Sequence, residues 1–105
     1  MEINSNAIIE LKINSNQLKK AAQVYRAINH PLRRQILAFI HEKGRVTVTE
    51  LHQKLNLPQA VASQQLAILR NSSITVTERE GRWMFYSLNY QKIKQLHEVA
   101  DELLG

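Results

Sequence analysis

Apolar residues recur at helical spacing along most of this chain, interrupted by two stretches where the period shortens to that of a strand. The first stretch opens the chain: Ile9, Leu11 and Ile13 alternate with Glu10 and Lys12 until Asn14-Ser15-Asn16 breaks the pattern. Residues 1–14 therefore read as an N-terminal extension, either frayed or adding an ordered segment to a neighbouring subunit. Residues 15–105 read as one domain. Ser15 or Asn16 can cap a first helix with Leu18, Ala21, Ala22, Tyr25 and Ile28 on one side. His30-Pro31 starts a second, in which Leu32, Ile36, Leu37 and Ile40 face the core and which Gly44 ends.

The next stretch, about 47–72, reads as two short helices joined by a tight turn. Thr47 and Glu50 have capping-box spacing, with Val48, Leu51 and Leu55 lining one face behind them. Asn56 and Leu57 make the turn. Pro58 can serve as the first residue of the following helix, where its missing N–H costs nothing. On that helix Ala62, Leu66 and Leu69 point inward, which leaves Gln59, Ala60, Ser63, Gln64 and Ala67 outside. An ordinary solvated face usually carries long charged side chains, whereas this one is short, polar and free of acid. Such a face can approach base edges in the DNA major groove, where glutamine pairs with adenine N6 and N7. A solvated helical hairpin is the bland alternative.

The second strand-like stretch follows at about 74–88. Ile74 to Arg79 and Trp83 to Leu88 are rich in β-branched and aromatic residues, and Glu80-Gly81-Arg82 between them supplies the glycine of a tight hairpin. This predicts a two-stranded wing with Arg79 and Arg82 at its tip, placed either along the phosphate backbone or in the adjacent minor groove. A last amphipathic helix spans about 90–104, with Ile93, Leu96, Ala100, Leu103 and Leu104 on its apolar side. Its stripe can close the core of one subunit or meet a second copy.

Three segments together resemble the ArsR/SmtB-type winged-helix repressors of prokaryotes: AINHPLRRQIL at Ala27 to Leu37, VTELHQKLNLPQAVASQQLAILR at Val48 to Arg70, and EREGRWMFYSLN at Glu78 to Asn89. The resemblance covers roughly residues 18 to 104 and keeps the family's order of elements. It implies a mainly α fold with a small β-hairpin, a winged helix-turn-helix of four helices, a hairpin and a fifth helix. It also implies a homodimer joined through the first and last helices, and a repressor acting on double-stranded DNA. Gln59, Ser63 and Gln64 become the candidates for base reading, with Ala60 and Val61 as apolar contacts to thymine methyls. Arg79 and Arg82 belong to the wing. Thr47, Thr49 and Arg70 are candidates for phosphate contacts, Thr47 being equally well explained as a cap alone. Relatives usually end the recognition helix with glycine, but here the run is Arg70-Asn71-Ser72-Ser73-Ile74, with Asn71 able to take the left-handed position.

Composition sharpens this picture. The net charge is +5 over 105 residues, yet between Lys12 and Lys94 all 14 bases meet only four acids (Glu42, Glu50, Glu78 and Glu80), a local +10. A basic body suits a polyanion. A domain this small also gains from burying further surface in a dimer. There is no cysteine, which excludes thiol switches and thiolate metal sites. No apolar run of bilayer length and no N-terminal signal pattern is present, so no membrane association and a cytoplasmic location are expected.

Many relatives of this kind sense metals, and the resemblance allows their ligand positions to be checked. The thiolate pair falls on Thr47 and Thr49, and the pairs on the last helix fall on Asn89 and Gln91, then Glu102 and Gly105. At most one of those last four is a plausible ligand. Among the histidines only His97, with Asp101 four residues on, shares a helical face with a second potential ligand, and an exposed ion pair is the simpler reading. No metal or other cofactor is expected, and the effector stays open. An enzyme would need a nucleophile with its base, a carboxylate pair or a phosphate-binding glycine loop, none of which has a recognisable spacing here. The remaining alternative is a winged-helix protein-interaction module without sequence-specific DNA binding.

Overall fold

The computed structural model describes residues 15–104, so the expected extension over 1–14 lies outside the described residues. The elements are α1 (Ser15–Ile28), α2 (Pro31–Lys43), β1 (Arg45–Val46), α3 (Val48–Lys54), α4 (Gln59–Asn71), β2 (Thr75–Glu80), β3 (Trp83–Leu88) and α5 (Tyr90–Leu104). This is the winged helix-turn-helix that the hydrophobic pattern implies. The wing, however, is part of a three-stranded antiparallel sheet in the order β1-β3-β2, not a free two-stranded ribbon. β1 adds only two residues, Arg45 opposite Ser87 and Val46 opposite Tyr86. So short a strand leaves almost no periodic trace in a sequence.

The core lies where the helices meet the inner face of this sheet. Ile36, Ile40, Val46, Leu51, Leu66, Leu69 and Ile74 are fully buried, drawn from α2, β1, α3, α4 and the link into β2. Two faces differ from expectation. In α2, Phe39 joins Ile36 and Ile40 in the core, while Leu32 and Leu37 are only partly buried. In α1 the buried residues are Val24 and Ala27, and Tyr25 is 58% exposed. The helix carries two overlapping apolar stripes; the one through Val24, Ala27 and Ile28 meets the core, which turns Tyr25 about 100° away. Of the apolar side of α5, Ile93 and Leu96 pack against the core, whereas the side chains of Ala100, Leu103 and Leu104 lie outside the described ones.

Local chemistry fixes where the helices begin and end. His30 precedes α2 in extended conformation with Pro31 at its first position, and Gly44 ends it at φ 90. Asn89 caps α5 by accepting from the Lys92 N–H at 3.2 Å, and its amide donates to the Ser73 carbonyl at 3.0 Å. At the end of α4 the left-handed residue is Ser73, at φ 61, and not Asn71, which stays helical. The Ser73 N–H donates to the Arg70 carbonyl at 2.9 Å and the Ile74 N–H to that of Leu69 at 3.0 Å, a Schellman closure. Burial of Ile74 against the core sets this register, because the closure brings the residue after the left-handed one back over the helix.

Candidate nucleic-acid interface

α3 and α4 are held at their junction by the same device. Asn56 takes φ 54. Its N–H reaches the Gln53 carbonyl at 3.4 Å, and the Leu57 N–H reaches that of His52 at 2.9 Å. Pro58 is the N-cap of α4, one residue earlier than its expected place as the first helical residue, and its carbonyl accepts from Val61 and Ala62 at 3.0 and 3.1 Å. No side chain caps this end. The positive end of the helix dipole lies at this turn, where an anion such as phosphate is favoured. At the start of α3 both halves of the capping box form: the Glu50 N–H donates to Thr47 Oγ1 and the Thr47 N–H to Glu50 Oε1, each at 3.1 Å. Thr47 is only 7% exposed, so its hydroxyl is committed to the cap, while Thr49 is half-buried beside it.

Along α4 the two faces separate as their residue types require. Ala62, Leu66 and Leu69 are wholly buried, and Gln59, Ala60, Ser63, Gln64, Ala67 and Arg70 are exposed. Val61 is half-buried at the edge between them. The helix contains no acidic residue at all.

The wing presents its bases beside this helix in sequence and at the far end of the sheet. Register pairs Glu80 with Trp83 across a two-residue loop in which Gly81 takes φ 60, the glycine position of a tight hairpin turn. Both Arg79 and Arg82 are exposed, and the Arg82 guanidinium lies 5.2 Å from the centre of the Trp83 ring. Between them, Glu80 is engaged: Arg45 grips its carboxylate with two nitrogens at 2.8 and 3.2 Å. The same guanidinium stacks 3.9 Å from the centre of Phe85. Arg45 therefore quenches the acid at the tip and ties β1 to the wing. Arg45 is not among the residues that the sequence pattern singles out, since its partner Glu80 lies 35 positions away.

The hydrogen bond and charge of Arg45 hold the Glu80 carboxyl below its ordinary pKa. A depressed acid contributes order that is present above its unfolded value and lost as pH falls through its folded value. Trp83, the chain's single tryptophan, sits opposite Glu80 and reports on that contact. Its emission is expected to titrate with a midpoint below the ordinary glutamate range, and the step is expected to vanish in Glu80→Gln. An identical acid profile in the variant would show that the pair does not organise the tip.

Two of the positions tested for metal ligands in the sequence have other duties here. Thr47 and Asn89 serve as helix caps. His97 and Asp101 lie 3.4 Å apart and are both well exposed. Among the described residues no three histidine, aspartate or glutamate side chains converge. The side chain of Glu102 and the whole of Gly105 lie outside what the structure describes.

An acid-free helix face set on a helix-turn-helix, with a hairpin that exposes Arg79 and Arg82, defines a winged DNA-binding module. Comparison with known proteins agrees. Residues 28–78 match the helix-turn-helix domain family. The chain is 33% identical over 85 residues to an HTH-type transcriptional regulator of Methanocaldococcus jannaschii, covering 81% of this chain and 96% of the relative. The crystal structure of the transcriptional repressor PagR of Bacillus anthracis superposes with a TM-score of 0.67 at 30% identity, over 84% of this chain and 95% of that one. HlyU from Vibrio cholerae superposes with a TM-score of 0.70, also at 30% identity, over 86% and 97% of the two chains. The protein belongs to the ArsR/SmtB-type winged helix-turn-helix family and is a DNA-binding transcriptional regulator.

Proposed function

We propose that this chain is a homodimeric, non-enzymatic repressor of the cytoplasm that occludes promoter DNA by binding an inverted-repeat operator, and that its signal is something other than a metal ion. The observation that carries the proposal is the exposed, acid-free face of α4. Gln59, Ser63 and Gln64 read base edges, Ala60 and Val61 meet thymine methyls, and Thr49, Arg70, Arg79 and Arg82 hold the backbone. Thr47 acts through the cap that aims α3. Dimerisation through α1 and α5 places two copies of α4 about one DNA turn apart, so half-sites centred roughly 10 bp apart, or a multiple of that, are expected. The protein-interaction alternative is not favoured, since the relatives are named as transcriptional regulators.

Gln59→Ala and Gln64→Ala test the reading directly. Each is expected to cost roughly 1 to 3 kcal/mol on the best operator while leaving binding to random duplex unchanged, because a bidentate base contact is what disappears. Footprinting of the native protein should show two related half-sites, and zinc, nickel or cobalt should leave its affinity as it is. A folded pair of variants that keep the native ratio of specific to random binding would remove α4 from the reading role.

A further inference from the structure

One side chain joins three of the helices by directional contacts. Arg33, half-buried on α2, donates from Nε to Gln65 Oε1 on α4 at 2.9 Å and from Nη1 to the carbonyl of Ala27 in the last turn of α1 at 3.2 Å. The Ala27 carbonyl is one of the last four of its helix, which lack an intrahelical partner and carry the negative end of the dipole, so a guanidinium is well suited to it. Arginine can only donate, which fixes the oxygen of Gln65 as the atom facing it.

Gln65 stands between Gln64 on the outer face and Leu66 in the core. Burial of Ala62, Leu66 and Leu69 sets how deeply α4 seats, but apolar contact is non-directional and tolerates rotation of the helix about its own axis. A hydrogen bond does not. With side chains a helix has a radius of about 5 to 6 Å, so a 20° roll, about 0.35 radian, moves the outer side-chain ends by about 2 Å, enough to break a bidentate base contact.

We infer that Arg33 is a positioning residue for DNA reading: it locks the roll of the recognition helix α4 to the end of α1. This rests on the reading of α4 as the helix that enters the major groove. Because α1 also packs against α5, the lock refers the recognition face to the two helices proposed to carry the dimer.

The test uses the full chain and the tightest duplex recovered from a random library, beside a random duplex of equal length. Arg33→Met and Gln65→Met each remove the contact with little change in volume, and the double variant completes the cycle. Each single variant is expected to lose roughly tenfold in the ratio of specific to random binding, with no further loss in the double variant, since both remove one interaction. Thermal midpoints are measured on the same samples, and binding is read well below them. A merely structural arginine would lower the midpoint and leave the ratio alone. Additive losses, or native ratios in the folded single variants, overturn the proposal. If Arg33→Met does not fold, Gln65→Met reports on the same bond. Failure of the native protein to prefer any duplex would instead overturn the reading of α4 itself.

Discussion

Leu66→Ala is expected to be among the most destructive single substitutions in this chain. Leu66 is wholly buried in the core that joins α4 to the sheet, so its truncation removes buried methyl groups and leaves a cavity lined by residues that cannot all relax. Losses of about 2 to 5 kcal/mol are typical for such sites. Domains of this size hold only about 5 to 15 kcal/mol in total. The thermal midpoint should therefore fall by about 10 °C or more. Ala67→Ser, one residue on and exposed, is expected to leave it nearly in place. Thermal unfolding followed by circular dichroism reads both. If the two variants melt together with the native protein, Leu66 is not part of the cooperative core.

That contrast between neighbours is legible in the sequence, because α4 is long, strongly periodic and sharply divided into apolar and polar positions. The preceding helix α3 is legible for a different reason: Thr47 and Glu50, its own capping box, announce a helix start by chemistry. Elements set by contacts distant in sequence are not. β1 exists because Arg45 and Val46 find Ser87 and Tyr86, some forty residues on. The choice of Val24 over Tyr25 depends on which stripe of α1 meets the core. The end of α4 is decided by Ile74 and not by the intrinsic tolerance of Asn71 for a left-handed backbone. In the candidate site, the exposed residues of α4 and of the wing could be picked out by residue type. The two arginines that organise them, Arg33 and Arg45, act through partners 32 and 35 positions away, beyond the reach of any local pattern.

The wing should reveal itself in salt dependence. Each phosphate neutralised by a base releases condensed counterions, giving a slope of about −0.9 per contact in a plot of log affinity against log salt. A dimer using Arg70, Arg79 and Arg82 from each subunit makes about six such contacts, for which affinity falls on the order of 10³-fold between about 50 and 200 mM salt. Arg82→Ala then distinguishes the two places the wing can occupy. With Arg82 on phosphate, every sequence weakens alike and the slope of the dimer shallows by about two, one per subunit. With Arg82 in a narrow minor groove, the loss falls hardest on operators with A·T-rich flanks. Glu80, held by Arg45, opposes either mode less than a free carboxylate would. Anisotropy titrations across a salt series, with operators differing only in their flanks, separate the outcomes. A double Arg79→Ala, Arg82→Ala variant with native slope and native affinity on all of them would take the wing out of the interface.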